Sequence, residues 1–209
     1  MIHYKKIDKS YLNDAGFEYR KNNKIEYLVI HYTAGANDTA EAVARYFKQI
    51  NKDKSRYASS HYIADDKSCF QCVEDKYAAW HCGGTKYKYS TGGSLYGKCT
   101  NLNSLGIEMC KCLNKLNYDT LKNCIAIGKK LIAKYNIKDD HVIRHYDVTG
   151  KHCPALMIDD NPDYKNNWKL LHKALTSGSE NVIEIKPDGT IYKKKRGDGY
   201  KWVKLGQFK

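Results

Sequence analysis

The sequence predicts an α/β fold: a central mixed β-sheet flanked by helices, with a small basic β-hairpin segment near its C-terminal end. Short β-branched and aromatic runs alternate with stretches of helical period, which is the pattern of a sheet covered by helices. Two of the runs end in histidine, and a Pro-Asp-Gly turn separates two more apolar runs late in the chain.

Residues 25–33 (IEYLVIHYT) are too short for a helix and read as a buried strand, which places His31 at its C-terminal end, where α/β sheets commonly build sites. Asp38-Thr-Ala-Glu41 has the form of a capping box, and Ala40, Val43, Ala44 and Phe47 then share one face of a helix running to about Ile50. Residues 61–65 and 69–73 read as two short strands around Asp66-Lys-Ser68. Residues 74–101, with Gly83-Gly84, Gly92-Gly93 and many Tyr and Lys, show no period and read as a long loop. Residues 105–110 (LGIEMC) form another strand, with Glu108 in an unusual place for a charge. Asp119 is the expected cap of a helix carrying Leu121, Cys124, Ile125, Ile132 and Tyr135 at helical spacing and ending near Asn136. Residues 141–145 are a fourth strand, again ending in histidine, and Trp168, Leu171 and Leu175 mark a last helix. Thr176-Ser-Gly-Ser-Glu180 resembles a linker, so residues 1–176 are read as one domain and 177–209 as a basic tail, a hairpin about Pro187-Asp-Gly189.

Composition bounds the function. A chain of 209 residues, 42% apolar and 28% charged, fits one folded domain with a short remainder and excludes a disordered chain. Thirty-six Lys and Arg against 23 Asp and Glu give a net charge of +13, which predicts attraction to a polyanion: nucleic acid, an acidic membrane surface or an anionic cell wall. Residues 181–209 hold 8 basic and 3 acidic side chains, hence +5 of that charge. No run approaches the roughly 18–20 apolar residues of a membrane span, and the first ten residues lack the apolar segment of a secretory signal, so the chain is expected to start in a cytoplasm. Eight cysteines are then expected mainly as free thiols. Cys69-x-x-Cys72 and Cys110-x-Cys112 stand beside no second ligand pair at metal-site spacing and read as core thiols. The absence of paired finger spacings speaks against specific nucleic-acid binding.

The strongest chemical signal is His145-Tyr-Asp-Val-Thr-Gly-Lys151-His-Cys153-Pro154, a strand end and tight loop that return a thiol eight residues after an imidazole. A single histidine is more often a hydrogen-bonded structural residue, and a single buried cysteine a small hydrophobe. With His31 at another strand end, however, two imidazoles and a thiolate would make a three-ligand zinc site with a fourth position for water, provided the two strands are parallel neighbours.

His31-Tyr-Thr-Ala, His61-Tyr-Ile, Trp80-His-Cys-Gly83, Ile107-Glu108 and His145-x-Asp-x-x-x-Lys151-x-Cys153-Pro together resemble the type 2 N-acetylmuramoyl-L-alanine amidases, a family that includes phage endolysins and peptidoglycan recognition proteins. The resemblance covers residues 24–175. It implies a zinc hydrolase that cuts the amide between N-acetylmuramic acid and the L-alanine of the stem peptide, with one zinc on His31, His145 and Cys153. It also implies Glu108 as general base and Lys151 as the cation opposing the oxyanion. Some members carry a catalytic tyrosine just before the position of His61; Ser60 stands there, which leaves the base role to Glu108. His61, His81 and Trp80 are candidates for the substrate groove, with a structural role equally open for each. The resemblance further implies peptidoglycan as partner and an endolysin made without a signal peptide and released to the wall at lysis. A non-catalytic peptidoglycan-binding protein of the same fold is the alternative; such members typically lose a zinc ligand, and all three positions are filled here. Lys86-Tyr-Lys-Tyr89 and the tail residues Tyr192, Lys193-Lys-Lys-Arg196, Tyr200 and Trp202 mix cations with aromatics, as a surface for anionic wall polymers would; the tail could equally extend the domain's own sheet.

Overall fold

A computed structural model describes residues 4–6, 16–82, 93–195 and 201–209. Six strands form one mixed sheet in the order β1 (Tyr4–Lys6), β5 (Cys69–Gln71), β4 (Tyr62–Ala64), β7 (Ser104–Met109), β3 (Tyr27–Tyr32) and β8 (Val142–Arg144). Only β4 and β5 pair antiparallel, across the Asp66-Lys-Ser68 turn, where the Asp65 carboxylate accepts from the backbone N–H of Lys67 and Ser68. The strands expected to carry the two histidines are parallel neighbours: Ile30 of β3 lies opposite Arg144 of β8, so His31 and His145 follow at one edge.

Period two along the strands sorts side chains to two faces. Leu28, Ile30, Leu105, Ile107 and Met109 face the main core, where α2 (Tyr118–Tyr135) and α4 (Pro162–Leu175) cover the sheet. On the other side, α1 (Ala40–Lys52) buries Ala40, Ala44, Phe47 and Ile50 against Ile63, Phe70 and Val73. Cys69, Cys112 and Cys124 lie in the main core and Cys72 and Cys110 in the second, where burial pushes their thiols up and keeps them protonated.

Two caps differ from expectation by one or two residues. Thr39, not Asp38, caps α1 by accepting from the Ala42 N–H, while Asp38 reaches across to the Lys111 N–H; Asn117, not Asp119, caps α2. The segment read as a loop contains a strand, β6 (Tyr77–Ala79), which pairs with β2 (Phe17–Tyr19).

The tail does not extend the main sheet. It forms a three-stranded antiparallel sheet of β9 (Asn181–Ile185), β10 (Thr190–Lys195) and β11 (Val203–Gln207). Gly189, at φ +83, takes the left-handed position of the expected turn. Ile185, Ile191 and Phe208 join the main core, fixing this sheet to the domain. Residues 83–92 and 196–200 lie outside the described residues, and with them Lys86-Tyr-Lys-Tyr89, Arg196 and Tyr200.

Candidate active site

The same alternation that sends Ile30 and Ile107 into the core turns His31 and Glu108 to the opposite face, and the β3–β7 register sets the two directly opposite each other. His145 enters from the other side of β3 as the first residue of a short helix, α3 (His145–Thr149). Arg144 and Asp147 hold that helix: the Asp147 carboxylate accepts from the Arg144 backbone N–H and from its guanidinium, which also donates to Met157 O and Asp159. The following loop closes on itself through Tyr146 N–H to Cys153 O, 3.0 Å, and returns Cys153 beneath the two imidazoles.

Three ligand atoms converge there. His31 Nδ1 lies 3.1 Å from His145 Nδ1 and 3.9 Å from Cys153 Sγ, and all three donors fall within 4.8 Å of one another. Zinc bound tetrahedrally by imidazole and thiolate spaces its nitrogens about 3.3 Å apart and nitrogen from sulfur about 3.6 Å, so the donor types and the two separations from His31 Nδ1 fit zinc. Burial holds His31 well below the ordinary histidine range, with His145, His81 and Lys151 pushing the same way; burial and then Lys151 lower His145 to about 3. Both rings are therefore neutral at pH 7, the form that ligates. Burial pushes the Cys153 thiol up to about 12, so a thiolate forms there only beside a bound cation.

Glu108 Oε1 stands 4.0 Å from His31 Nδ1, while its Oε2 is buried without a hydrogen-bond partner among the described residues. Burial raises this carboxyl to about 7, partly offset by Lys151. A group titrating near neutrality, with one oxygen unspent, can take a proton and give it back. Both residues line a cleft of about 1090 Å³ together with Lys151, Arg56, Tyr57 and Trp80.

The structure thus brings His31, His145, Cys153, Glu108, Lys151, His81 and Trp80 to one cleft. Trp80 meets the exposed Tyr57 edge to face, ring centroids 5.5 Å apart. His61 is the exception, a correction to the groove role expected of it. It is fully buried: Gly106 N–H donates to its Nδ1, and its Nε2 lies 2.9 Å from Arg20 Nη2 and 3.1 Å from Tyr77 O. Ser60 is buried beside it, its hydroxyl donating to Gly106 O. Sequence reasoning missed Arg20, whose guanidinium also donates to the carbonyls of Asp75, Asn101, Leu102 and Ser104. No sequence signal marks it, because every partner but the imidazole is a distant backbone group.

The family model described as N-acetylmuramoyl-L-alanine amidase matches residues 21–156. Among curated relatives, a probable N-acetylmuramoyl-L-alanine amidase of Bacillus licheniformis is 29% identical over 137 residues, 65% of this chain and 38% of its own length. The N-acetylmuramoyl-L-alanine amidase CwlL of the same species is 28% identical over 180 residues, 81% of this chain and 49% of its own. The chain therefore spans less than half the length of these two relatives. A solved structure, a mutant endolysin from Bacillus subtilis, is similar with a TM-score of 0.59 and 26% identity, covering 84% of this chain and 99% of the other. With a profile match over more than half its length, on the segment that carries the His31, Glu108, His145 and Cys153 cluster, this chain belongs to the N-acetylmuramoyl-L-alanine amidase family.

Proposed function

We propose that the protein is a zinc-dependent peptidoglycan hydrolase of the endolysin kind, cutting the amide between the lactyl group of N-acetylmuramic acid and L-alanine. The observation that carries this reading is the convergence of His31, His145 and Cys153 on one point, with the Glu108 carboxylate 4.0 Å from His31 Nδ1 at the floor of an open cleft.

His31, His145 and Cys153 would hold one zinc ion. When bound, zinc supplies Lewis acidity, which makes water a competent nucleophile near neutral pH and polarises a carbonyl. The chain's own groups do the rest. Glu108 accepts a proton from the attacking water on a carboxylate oxygen and delivers it to the departing L-alanine nitrogen. Lys151, two residues from Cys153, sets its ammonium against the negative charge that develops on the carbonyl oxygen, a role of about 3–4 kcal/mol in comparable sites. Trp80 and Tyr57 offer an aromatic wall to a sugar ring, and His81 stands beside the ligands in the same cleft.

The partner in this reading is bacterial peptidoglycan, reached from the cytoplasm when the cell lyses. Among the described residues no helix is long and apolar enough to cross a membrane. Residues 177–209 are proposed as an accessory surface for anionic wall polymers, supported by the +5 charge of residues 181–209 and by Lys194, whose ammonium lies 5.9 Å from the centre of the exposed Trp202 ring.

Wall lysis and bound zinc, measured together on Glu108→Ala and Cys153→Ala, test the assignment. Glu108→Ala should keep the metal and lose lysis with release of new L-alanine N-termini; Cys153→Ala should lose both. Full activity in either variant overturns the role given to that residue.

A further inference from the structure

His81 lines the cleft, yet its ring nitrogens are turned to the protein. Its Nδ1 lies 3.0 Å from His31 Nε2, and its Nε2 lies 3.1 Å from Ser104 Oγ, whose hydroxyl reaches the Thr100 carbonyl at 2.5 Å. The far end of this chain sets its direction. A carbonyl oxygen only accepts, so Ser104 gives its one proton to Thr100 and its oxygen is left to accept from His81 Nε2–H. His81 Nδ1 is then unprotonated and accepts from His31 Nε2–H. His31 is left with a bare lone pair on Nδ1, the atom that faces His145 Nδ1 and Cys153 Sγ. Cys82 Sγ lies 3.4 Å from the same Ser104 oxygen and 3.9 Å from His81 Nε2, which packs a sulfur against the middle of the relay.

The backbone is built to hold this ring. Both His81 N–H and Cys82 N–H donate to Asn101 Oδ1, at 3.1 and 2.9 Å. The ring lies against Gly106 of β7, where a Cβ would come within 2.8 Å of His81 Nδ1. Any larger residue at 106 would displace the ring.

We propose that His81 is a positioning residue: the Thr100–Ser104–His81 relay locks His31 in its Nε2-protonated tautomer and fixes the ring so that Nδ1 is presented to the metal. This rests on the zinc reading above and gives His81 a task distinct from touching substrate. Partners that orient a metal-bound imidazole typically alter metal affinity by about 10–100-fold when removed.

Two measurements test it. Nitrogen-15 NMR of the metal-free wild-type protein reads the His31 tautomer, and competition with a chelator reads zinc affinity. The expected results are an Nε2–H His31 in the wild type, zinc binding weakened about 10–100-fold in His81→Ala, and recovery of most of that loss in His81→Asn, whose Oδ1 accepts near the place of Nδ1. His31 protonated on Nδ1, or zinc held as tightly by His81→Ala as by the wild type, overturns the proposal. The NMR reading needs no variant, so it decides even where His81→Ala does not fold. A wild type that shows the Nε2–H tautomer but binds no zinc supports the relay and overturns the zinc reading alone.

Discussion

His31 and Glu108 are register partners on adjacent parallel strands, and the carboxylate of one comes within 4.0 Å of the Nδ1 of the other. The metal ligand and the proton-transfer group proposed above are thereby placed by the sheet itself, on adjacent strands. Rigid placement of this kind is what orientation effects in catalysis require. Glu108→Gln keeps the shape and removes the base, so the expected outcome is a fall in turnover of about 100-fold or more with zinc content unchanged. Metal analysis beside a wall-lysis assay on the same preparation checks it; an equal loss of zinc would make Glu108 a ligand instead.

Zinc should also stabilise the fold, because the three donors meet only in the folded chain. Free zinc at 100 times its dissociation constant adds about 2.7 kcal/mol, enough to move the melting temperature by several degrees. Thermal unfolding with chelator and with added zinc measures this for the wild type. In Cys153→Ala the two curves should nearly coincide, since two imidazoles alone hold the ion weakly.

The parts of this site legible in the sequence were those that strand period and loop length control. Residues 25–33 and 105–110 are long enough for alternation to show, and the eight-residue return from His145 to Cys153 is visible as spacing. The three-residue strands β1, β2 and β6 carry no readable period, because their pairing depends on partners far along the chain. His61 and His81 look alike as letters, each beside a small residue near a strand. Gly106 N–H and Arg20 turn one into a core residue, and His31, 50 positions away, takes up the other. Cap assignment failed where cap-forming residues crowd together, as at Asp38-Thr39, and a contact to Lys111 decided which of them faced the helix.

Asp75 gives the fold a pH dependence of its own. Its carboxylate, mostly buried, accepts from Lys134 Nζ at 2.8 Å, Tyr62 Oη at 2.6 Å and Tyr135 Oη at 2.7 Å. Burial alone would raise this carboxyl, but those hydrogen bonds outweigh it and hold the group below the ordinary aspartate range. A lowered folded-state value means that the stabilisation is complete above the unfolded value, about 4, and is lost as pH falls through the folded one. Asp75→Asn should therefore cost about 2 kcal/mol at pH 7, with the gap to wild type narrowing below pH about 4. Urea unfolding at pH 7 and in the acid range checks it; a gap that stays constant would show that the charge plays no part.

Phe208 separates the anchoring of the C-terminal segment from the wall-binding role proposed for it. Its side chain is 2% exposed within the main core, its ring stacks on Tyr118 with centroids 6.2 Å apart, and the next residue is clamped by Asn167, which accepts from Lys209 N–H and donates to Lys209 O. Phe208→Ala should cost about 3–5 kcal/mol, a large share of the 5–15 kcal/mol that holds a typical domain together. Lys193 and Lys194 sit on β10 away from this anchor, so replacing both by Ala should leave stability within about 0.5 kcal/mol while weakening adsorption to isolated walls, more so at low salt. Unfolding curves and wall-pelleting assays on the two variants read these effects separately. Unchanged adsorption in the lysine variant would remove the wall-binding role from β10 and leave the segment as a buttress for α2 and α4.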